Sequence, residues 1–156
     1  MKKDPLGDVY LSAEEIQARV KELGKKVSAA YLGKELVLVG ILRGSFVFMA
    51  DLVRNIEIPV SLDFMAISSY EGAEGSPGAD KILKDLDESI TGKNILIVED
   101  IIDTGLTLGY LIRHLEARSP ESINICTLLD RSIRRIVPLP ISFTGFDGPE
   151  VFVVGY

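Results

Sequence analysis

Short apolar runs alternate with amphipathic stretches along the chain, and that alternation predicts an α/β fold. Ser12-Ala13-Glu14-Glu15 has the form of a capping box, and Ile16, Val20, Leu23 and Val27 then share one face of a helix reaching about Tyr31. Leu36 to Leu42 is continuously apolar, as a strand buried on both faces is. Phe46, Met49, Ala50, Leu52 and Val53 predict a second helix, and Val60 to Tyr70 alternates well enough for a strand. Ile82 to Leu86 would be the strand returning from it. Ile90-Thr91-Gly92-Lys93 turns into the apolar run Ile95 to Val98. Leu108, Leu111, Ile112 and Leu115 then mark a helix to about Ala117, and Ser122 to Leu129 a further buried strand. The tail, Ile141 to Tyr156, is given no element.

The stretch from Asn94 to Leu108 organises the rest. A buried strand ends in two acids, Glu99 and Asp100. Ile101, Ile102, a third acid (Asp103) and the small polar run Thr104-Gly105-Leu106-Thr107 follow before the helix. Ligands bind at the carboxyl ends of parallel strands, and free N–H groups and hydroxyls at a helix N-terminus suit a phosphate. The acids would repel a phosphate they faced directly. They make sense for a ligand that also carries sugar hydroxyls, a magnesium ion, or both, and a ribose phosphate meets every requirement. A plain acidic loop capping a helix is the alternative. Two other strands end in arginine: Leu42-Arg43-Gly44-Ser45 is either a second anion site or a surface turn, and Arg131, Arg134 and Arg135 are either site residues or a solvated face.

Composition narrows the class. With 156 residues, 47% hydrophobic and 26% charged, the chain is expected to fold as one domain with a real core. A net charge of −6 argues against general nucleic-acid binding, so any ligand phosphate must be met locally. The single cysteine, Cys126, lies in an apolar run and reads as a core thiol in a reducing cytosol. No apolar run approaches a membrane span, and Met1 to Pro5 has no apolar core behind it to make a signal peptide. Gly92-Lys93 lacks the upstream glycine of a P-loop, and no G-x-G-x-x-G run is present. His114 stands alone on the polar side of its helix and reads as a surface residue, which leaves zinc chemistry and a Ser-His-acid triad unsupported.

The run Val98-Glu99-Asp100-Ile101-Ile102-Asp103-Thr104-Gly105 resembles the phosphoribosyl-pyrophosphate motif of type I phosphoribosyltransferases, and from about Ser12 to Tyr156 the chain resembles their hypoxanthine-guanine branch. The resemblance implies a twisted, mostly parallel sheet with flanking helices and a small hood from both chain ends. The core would be about 30–130 and the hood the N-terminal residues plus about 131–156. It implies purine salvage: a 5-phosphoribosyl group passes from phosphoribosyl pyrophosphate to hypoxanthine or guanine, giving IMP or GMP and pyrophosphate, with Mg2+ as cofactor. Asp103, Thr104, Gly105, Leu106 and Thr107 would hold the 5-phosphate, and Glu99 and Asp100 the ribose hydroxyls or magnesium. Asp103 would also be the general base. Leu42-Arg43-Gly44 resembles the pyrophosphate loop, where the first peptide is typically cis. Ser69 and Tyr70 match the Ser-Tyr pair opening a catalytic lid, here Glu71 to Ala79, whose three glycines and one proline cannot pack. Tyr70 would close over the leaving group, with Ser69 at the pyrophosphate.

For the base, the resemblance assigns stacking to Phe143, edge contacts to Thr144, and 6-oxo donation to Arg131, where the family usually has lysine. Glu150 stands where an aspartate usually lies near a second magnesium. The family commonly runs on beyond the position of Tyr156, forms dimers or tetramers, and acts in the cytoplasm without nucleic-acid or membrane partners. The runner-up is a nucleotide-sensing regulator that keeps the acidic loop without catalysis. A magnesium-dependent phosphatase or receiver-like domain also places acids at strand ends, but it leaves Thr104-Gly105-Leu106-Thr107 unexplained.

Overall fold

A computed structural model describes residues 7–70 and 79–156, with the backbone alone at Ser69, Tyr70 and Ala79. In chain order the elements are α1 (Ala13–Ala30), β1 (Leu36–Leu42), α2 (Phe46–Val53), β2 (Ser61–Tyr70), β3 (Ala79–Lys84), β4 (Asn94–Ile102), α3 (Leu106–Glu116), β5 (Ser122–Asp130) and β6 (Ile141–Asp147). The capping box that starts α1 is reciprocal: Glu15 N donates to Ser12 Oγ at 3.1 Å and Ser12 N to Glu15 Oε2 at 2.8 Å.

The strands form one sheet in the order β3-β2-β1-β4-β5-β6, antiparallel only between β2 and β3. Alternation along the central strands feeds two cores. Leu36 and Leu38 of β1, Leu96 and Val98 of β4, and Cys126 and Leu128 of β5 pack with α1 and α2. Val37, Val39, Ile41, Ile95, Ile97 and Ile125 pack with α3 on the other face. Cys126 is fully buried, and loss of hydration pushes its thiol up to about 12. Among the described residues no helix is long and apolar enough to cross a membrane.

The order reverses between β1 and β4. β1 leads through α2 to β2 on one side, and β4 leads through α3 to β5 on the other. The two loops leave the carboxyl edge in opposite directions and open a crevice between them, which is where this topology binds ligands.

Three boundaries differ from the expected pattern. β4 runs through both acids to Ile102, because β5 keeps pairing with it: Glu99 faces Thr127 and Ile102 faces Asp130. β3 lies about three residues before the expected Ile82–Leu86. It pairs with β2 from Tyr70↔Ala79, and the chain leaves the sheet at Asp85, whose carboxylate bonds Leu86 N at 2.7 Å and pairs with Arg118. The tail supplies an unexpected strand: β6, inside the stretch assigned to the hood, extends the main sheet parallel to β5. Tyr10 Oη donates to Asp147 O, at the end of β6, at 3.4 Å. His114 is half-buried rather than a bare surface residue, with Nε2 2.6 Å from Arg118 Nη2 and 3.4 Å from Asp85 Oδ2.

Candidate functional site

At the crevice, β4 delivers Glu99 and Asp100 in its last turn of pairing, and the chain then tightens into Asp103-Thr104-Gly105 before α3. Gly105 has φ 84°, the left-handed region, and a Cβ there would lie 2.9 Å from Arg135 Cδ and 3.0 Å from Leu139 Cδ1. Glycine therefore permits both the turn and the close cover. The first intrahelical bond of α3 comes from Gly109 N, so the N–H groups of Leu106, Thr107 and Leu108 have no backbone partner within the helix. Thr104 Oγ1 lies 3.4 Å from Leu106 N.

The loop after β1 meets the same corner. A Cβ on Gly44 would stand 2.8 Å from Asp100 Oδ2 and 3.0 Å from Oδ1, so the Asp100 carboxylate lies against the loop at Gly44. The Leu42–Arg43 peptide is cis, as the resemblance implied. Buried Ser45 ties the loop down, its hydroxyl donating to Ile41 O at 2.7 Å. Arg43 is exposed, and among the described residues it has no ion-pair partner.

The acids divide by their neighbours. Burial holds the Glu99 carboxyl well above the usual carboxylate range, and the adjoining Asp100 carboxylate raises it further by hydrogen bonding and like charge. Among the described residues no cation pairs with either acid. Asp103 is placed differently: Arg134 Nε is 3.1 Å from its Oδ1 and Arg131 Nη1 3.6 Å from its Oδ2. Oδ1 is shielded from solvent and makes no hydrogen bond, so Arg134 meets it as a charge.

Arg131 is buried, 8% exposed. It donates through Nε to Pro149 O at 2.7 Å and through Nη2 to Val151 O. Arg131 is thus not part of a solvated face, although Arg134 is exposed. Arg131 fastens the C-terminal segment beside Asp103, and a Cβ on Gly148 would meet Arg131 Cγ at 2.7 Å.

Of the three residues assigned to the base, Arg131 stands beside Asp103, while Phe143 and Thr144 lie in β6. Phe143 lies opposite Cys126 in mid-sheet and joins the core under α1, its ring 6.3 Å from that of Tyr31. It borders a cavity of about 520 Å3 with Asn94, Ser122 and Asn124, residues from the amino-terminal halves of their strands. Thr144 pairs with Thr127, which pairs in turn with Glu99, so it stands level with the acids. The aromatic beside the site is Phe152, next to the Val151 carbonyl held by Arg131 and 88% exposed. Sequence reasoning passed over it because Val151 to Val154 reads as one more apolar run. An aromatic left in water at a strand's carboxyl edge is the signal that finds it. Glu150 is exposed on the same segment, and among the described residues no three of His, Cys, Asp and Glu gather as metal ligands. The expected lid from Glu71 to Gly78 and the side chains of Ser69, Tyr70 and Ala79 lie outside the described residues.

Glu99 and Asp100 nonetheless fit a hard divalent cation. They are two adjoining carboxylates with no cationic side chain paired to them among the described residues, and magnesium commonly takes one or two protein carboxylates and fills its other positions with substrate oxygens and water.

Known proteins match along almost the whole length. The family model for the phosphoribosyl transferase domain matches residues 8–156. The hypoxanthine phosphoribosyltransferase of Salmonella typhimurium is 52% identical over 151 residues, covering 96% of this chain and 85% of that protein. The hypoxanthine-guanine phosphoribosyltransferase of Bacillus subtilis is 46% identical over 156 residues, covering 100% and 87%. A crystal structure of a hypoxanthine phosphoribosyltransferase from Staphylococcus aureus superposes with a TM-score of 0.91 at 46% identity, covering 97% of this chain and 82% of that one.

Proposed function

This chain belongs to the phosphoribosyl transferase family, and from that membership we propose how its crevice carries out purine salvage. The chain is a phosphoribosyltransferase of the hypoxanthine class, as its relatives are, and nothing among them favours the regulator reading. The reaction joins a 5-phosphoribosyl group from phosphoribosyl pyrophosphate to hypoxanthine or guanine, giving IMP or GMP and pyrophosphate. The observation that carries this reading is the convergence of three unlike parts at one topological switch. They are an acid pair with no counter-charge among the described residues, a glycine turn at the start of α3, and an arginine-held segment with an exposed aromatic.

Displacement at the anomeric carbon builds positive charge on the ribose and negative charge on the leaving pyrophosphate, so catalysis is positioning plus electrostatics. Thr104, Gly105, Leu106 and Thr107, with Asp103, hold the 5-phosphate by backbone N–H groups and hydroxyls. Glu99 and Asp100 hold the ribose hydroxyls, and their charge favours the cationic ring. Magnesium bound at Glu99 and Asp100 would supply charge neutralisation for the pyrophosphate. Arg43 offers a second positive charge to it from the loop pressed against Asp100. Ser69 and Tyr70 keep their assigned place at the leaving group. Asp103, beside Arg131, takes the proton from the base's imidazole nitrogen. Arg131 donates to the 6-oxo group with the N–H groups its backbone partners leave over. Phe152 supplies the stacking face.

Self-association into two or four copies belongs to the same proposal, supported by Phe46, which begins α2 after the Arg43 loop with 58% of its surface exposed. A cytoplasmic setting agrees with the free, buried Cys126.

Incubation with phosphoribosyl pyrophosphate, hypoxanthine and magnesium should release pyrophosphate and form IMP, and excess chelator should abolish both. Product formed at full rate in chelator would remove magnesium from the scheme, and no product would sink the assignment. The two phenylalanines separate cleanly. Phe152→Ala should raise KM for hypoxanthine by about tenfold with little change in Tm, since stacking on a base contributes about 1–3 kcal/mol. Phe143→Ala should lower stability by about 2–4 kcal/mol and leave KM for the base unchanged. The reverse pattern would restore Phe143 to the site.

A further inference from the structure

The segment after Arg131 lies directly on the phosphate loop and takes its carbonyls. Arg135 Nε donates to Asp103 O at 3.0 Å, Ile136 N donates to Thr104 O at 2.8 Å, and Val137 N reaches the same oxygen at 3.4 Å. The Arg135 guanidinium is anchored from behind by the Asp130 carboxylate at the end of β5, and both side chains are largely buried. The Arg135 stem covers the face of Gly105 where a Cβ would be.

The peptide bonds of the loop are trans, so each carbonyl points opposite to the N–H of the next residue. Fixing Asp103 O and Thr104 O toward Arg135 and Ile136 turns the N–H groups of Thr104 and Gly105 to the other side. We propose that Arg135, a residue that never touches substrate, is the positioning residue of the phosphate site. Pinned by Asp130, it presets the loop through Asp103 O so that the Thr104 N–H faces the 5-phosphate, and the chain it anchors, through Ile136 N, sets the Gly105 N–H beside it. Lysine replaces it only in part: one ammonium on a flexible stem does not bridge a carboxylate and a carbonyl as a planar fork does. Arg134, one residue earlier, has the separate task of facing Asp103.

The inference rests on the phosphoribosyl reading of the crevice, and its test separates the two. Arg135→Gln, Arg135→Lys and Asp130→Asn would be assayed for KM of each substrate, for binding of ribose 5-phosphate, and for Tm. In Arg135→Gln, KM for phosphoribosyl pyrophosphate and Kd for ribose 5-phosphate should both rise by about tenfold or more, while KM for hypoxanthine stays within about twofold. Arg135→Lys should recover only part of that loss, and Asp130→Asn should show the same selectivity with a smaller rise. Where Arg135→Gln fails to fold, Arg135→Lys decides.

Folded variants with ribose 5-phosphate affinity within about twofold of the parent would overturn the proposal. Equal loss of affinity for both substrates, tracking a fall in Tm, would also overturn it, since that is what a structural prop alone produces. If the parent protein makes no nucleotide, the enzymatic reading has failed, and ribose 5-phosphate affinity across the variants still decides the role of Arg135.

Discussion

Asparagine in place of Asp103 is expected to lower kcat by about 10²-fold or more while KM for phosphoribosyl pyrophosphate stays within about threefold. Asp103 belongs to the phosphate loop through its backbone and to the chemistry through its side chain, and the substitution touches only the latter. The loop's shape is held by Asp103 O and Thr104 O, which asparagine leaves in place. The side chain stands between Arg131 and Arg134, at the point where a base held by Arg131 presents its imidazole proton. An amide of the same size fills the space but cannot take that proton, and a positioned base contributes about 10²–10⁴-fold. Steady-state kinetics on a variant of unchanged Tm measures this directly. Unchanged kcat would remove Asp103 as the base, and a large rise in KM alone would make it a binding residue.

Glutamine at position 99 should act in opposite directions on stability and activity. Burial, and then the neighbouring Asp100 carboxylate, make a charged Glu99 unfavourable in the ligand-free protein. The neutral isostere removes that conflict, so Glu99→Gln should raise stability by about 1 kcal/mol, a gain of about 2–4 °C in Tm for a chain of this size. It should also cost about 10²-fold in kcat/KM, because the charge that destabilises the empty site is the one that grips the ribose and favours its cationic transition state. Calorimetry and kinetics on one preparation test both halves. A lower Tm would mean that Glu99 has a counter-charge in the native state. Unchanged kcat/KM would mean that it faces no substrate.

How far these features could be read from residues alone depended on whether the determinant was local. The Asn94–Leu108 corner was legible because strand, acids, glycine and helix are consecutive, and each step follows from period and turn chemistry. The capping box of α1 was legible for the same reason. β6 was not: its alternation Ile141, Phe143 and Gly145 is weak, and its place in the sheet depends on β5 continuing as its partner. The setting of Phe143 is hidden for a related cause. An aromatic near the end of a chain with this resemblance invites a base-stacking role, while its burial beside Tyr31 is a contact across more than a hundred residues. The arginine cluster hid its meaning in a different way. Arg131, Arg134 and Arg135 look interchangeable as a charged run. The fold gives each a distinct partner: the carbonyls of Pro149 and Val151, the carboxylate of Asp103, and the carboxylate of Asp130. Only the register of β5 and the path of the chain back over Gly105 decide which is which.

A crystal structure of the protein with IMP puts the whole scheme to one test. The phosphoryl oxygens should lie within hydrogen-bond distance of the backbone N–H groups between Thr104 and Thr107, with the ribose hydroxyls at Glu99 and Asp100 and the purine against Phe152. A nucleotide bound with its phosphate away from that turn, or with its ribose out of reach of both acids, would contradict the assignment of the crevice.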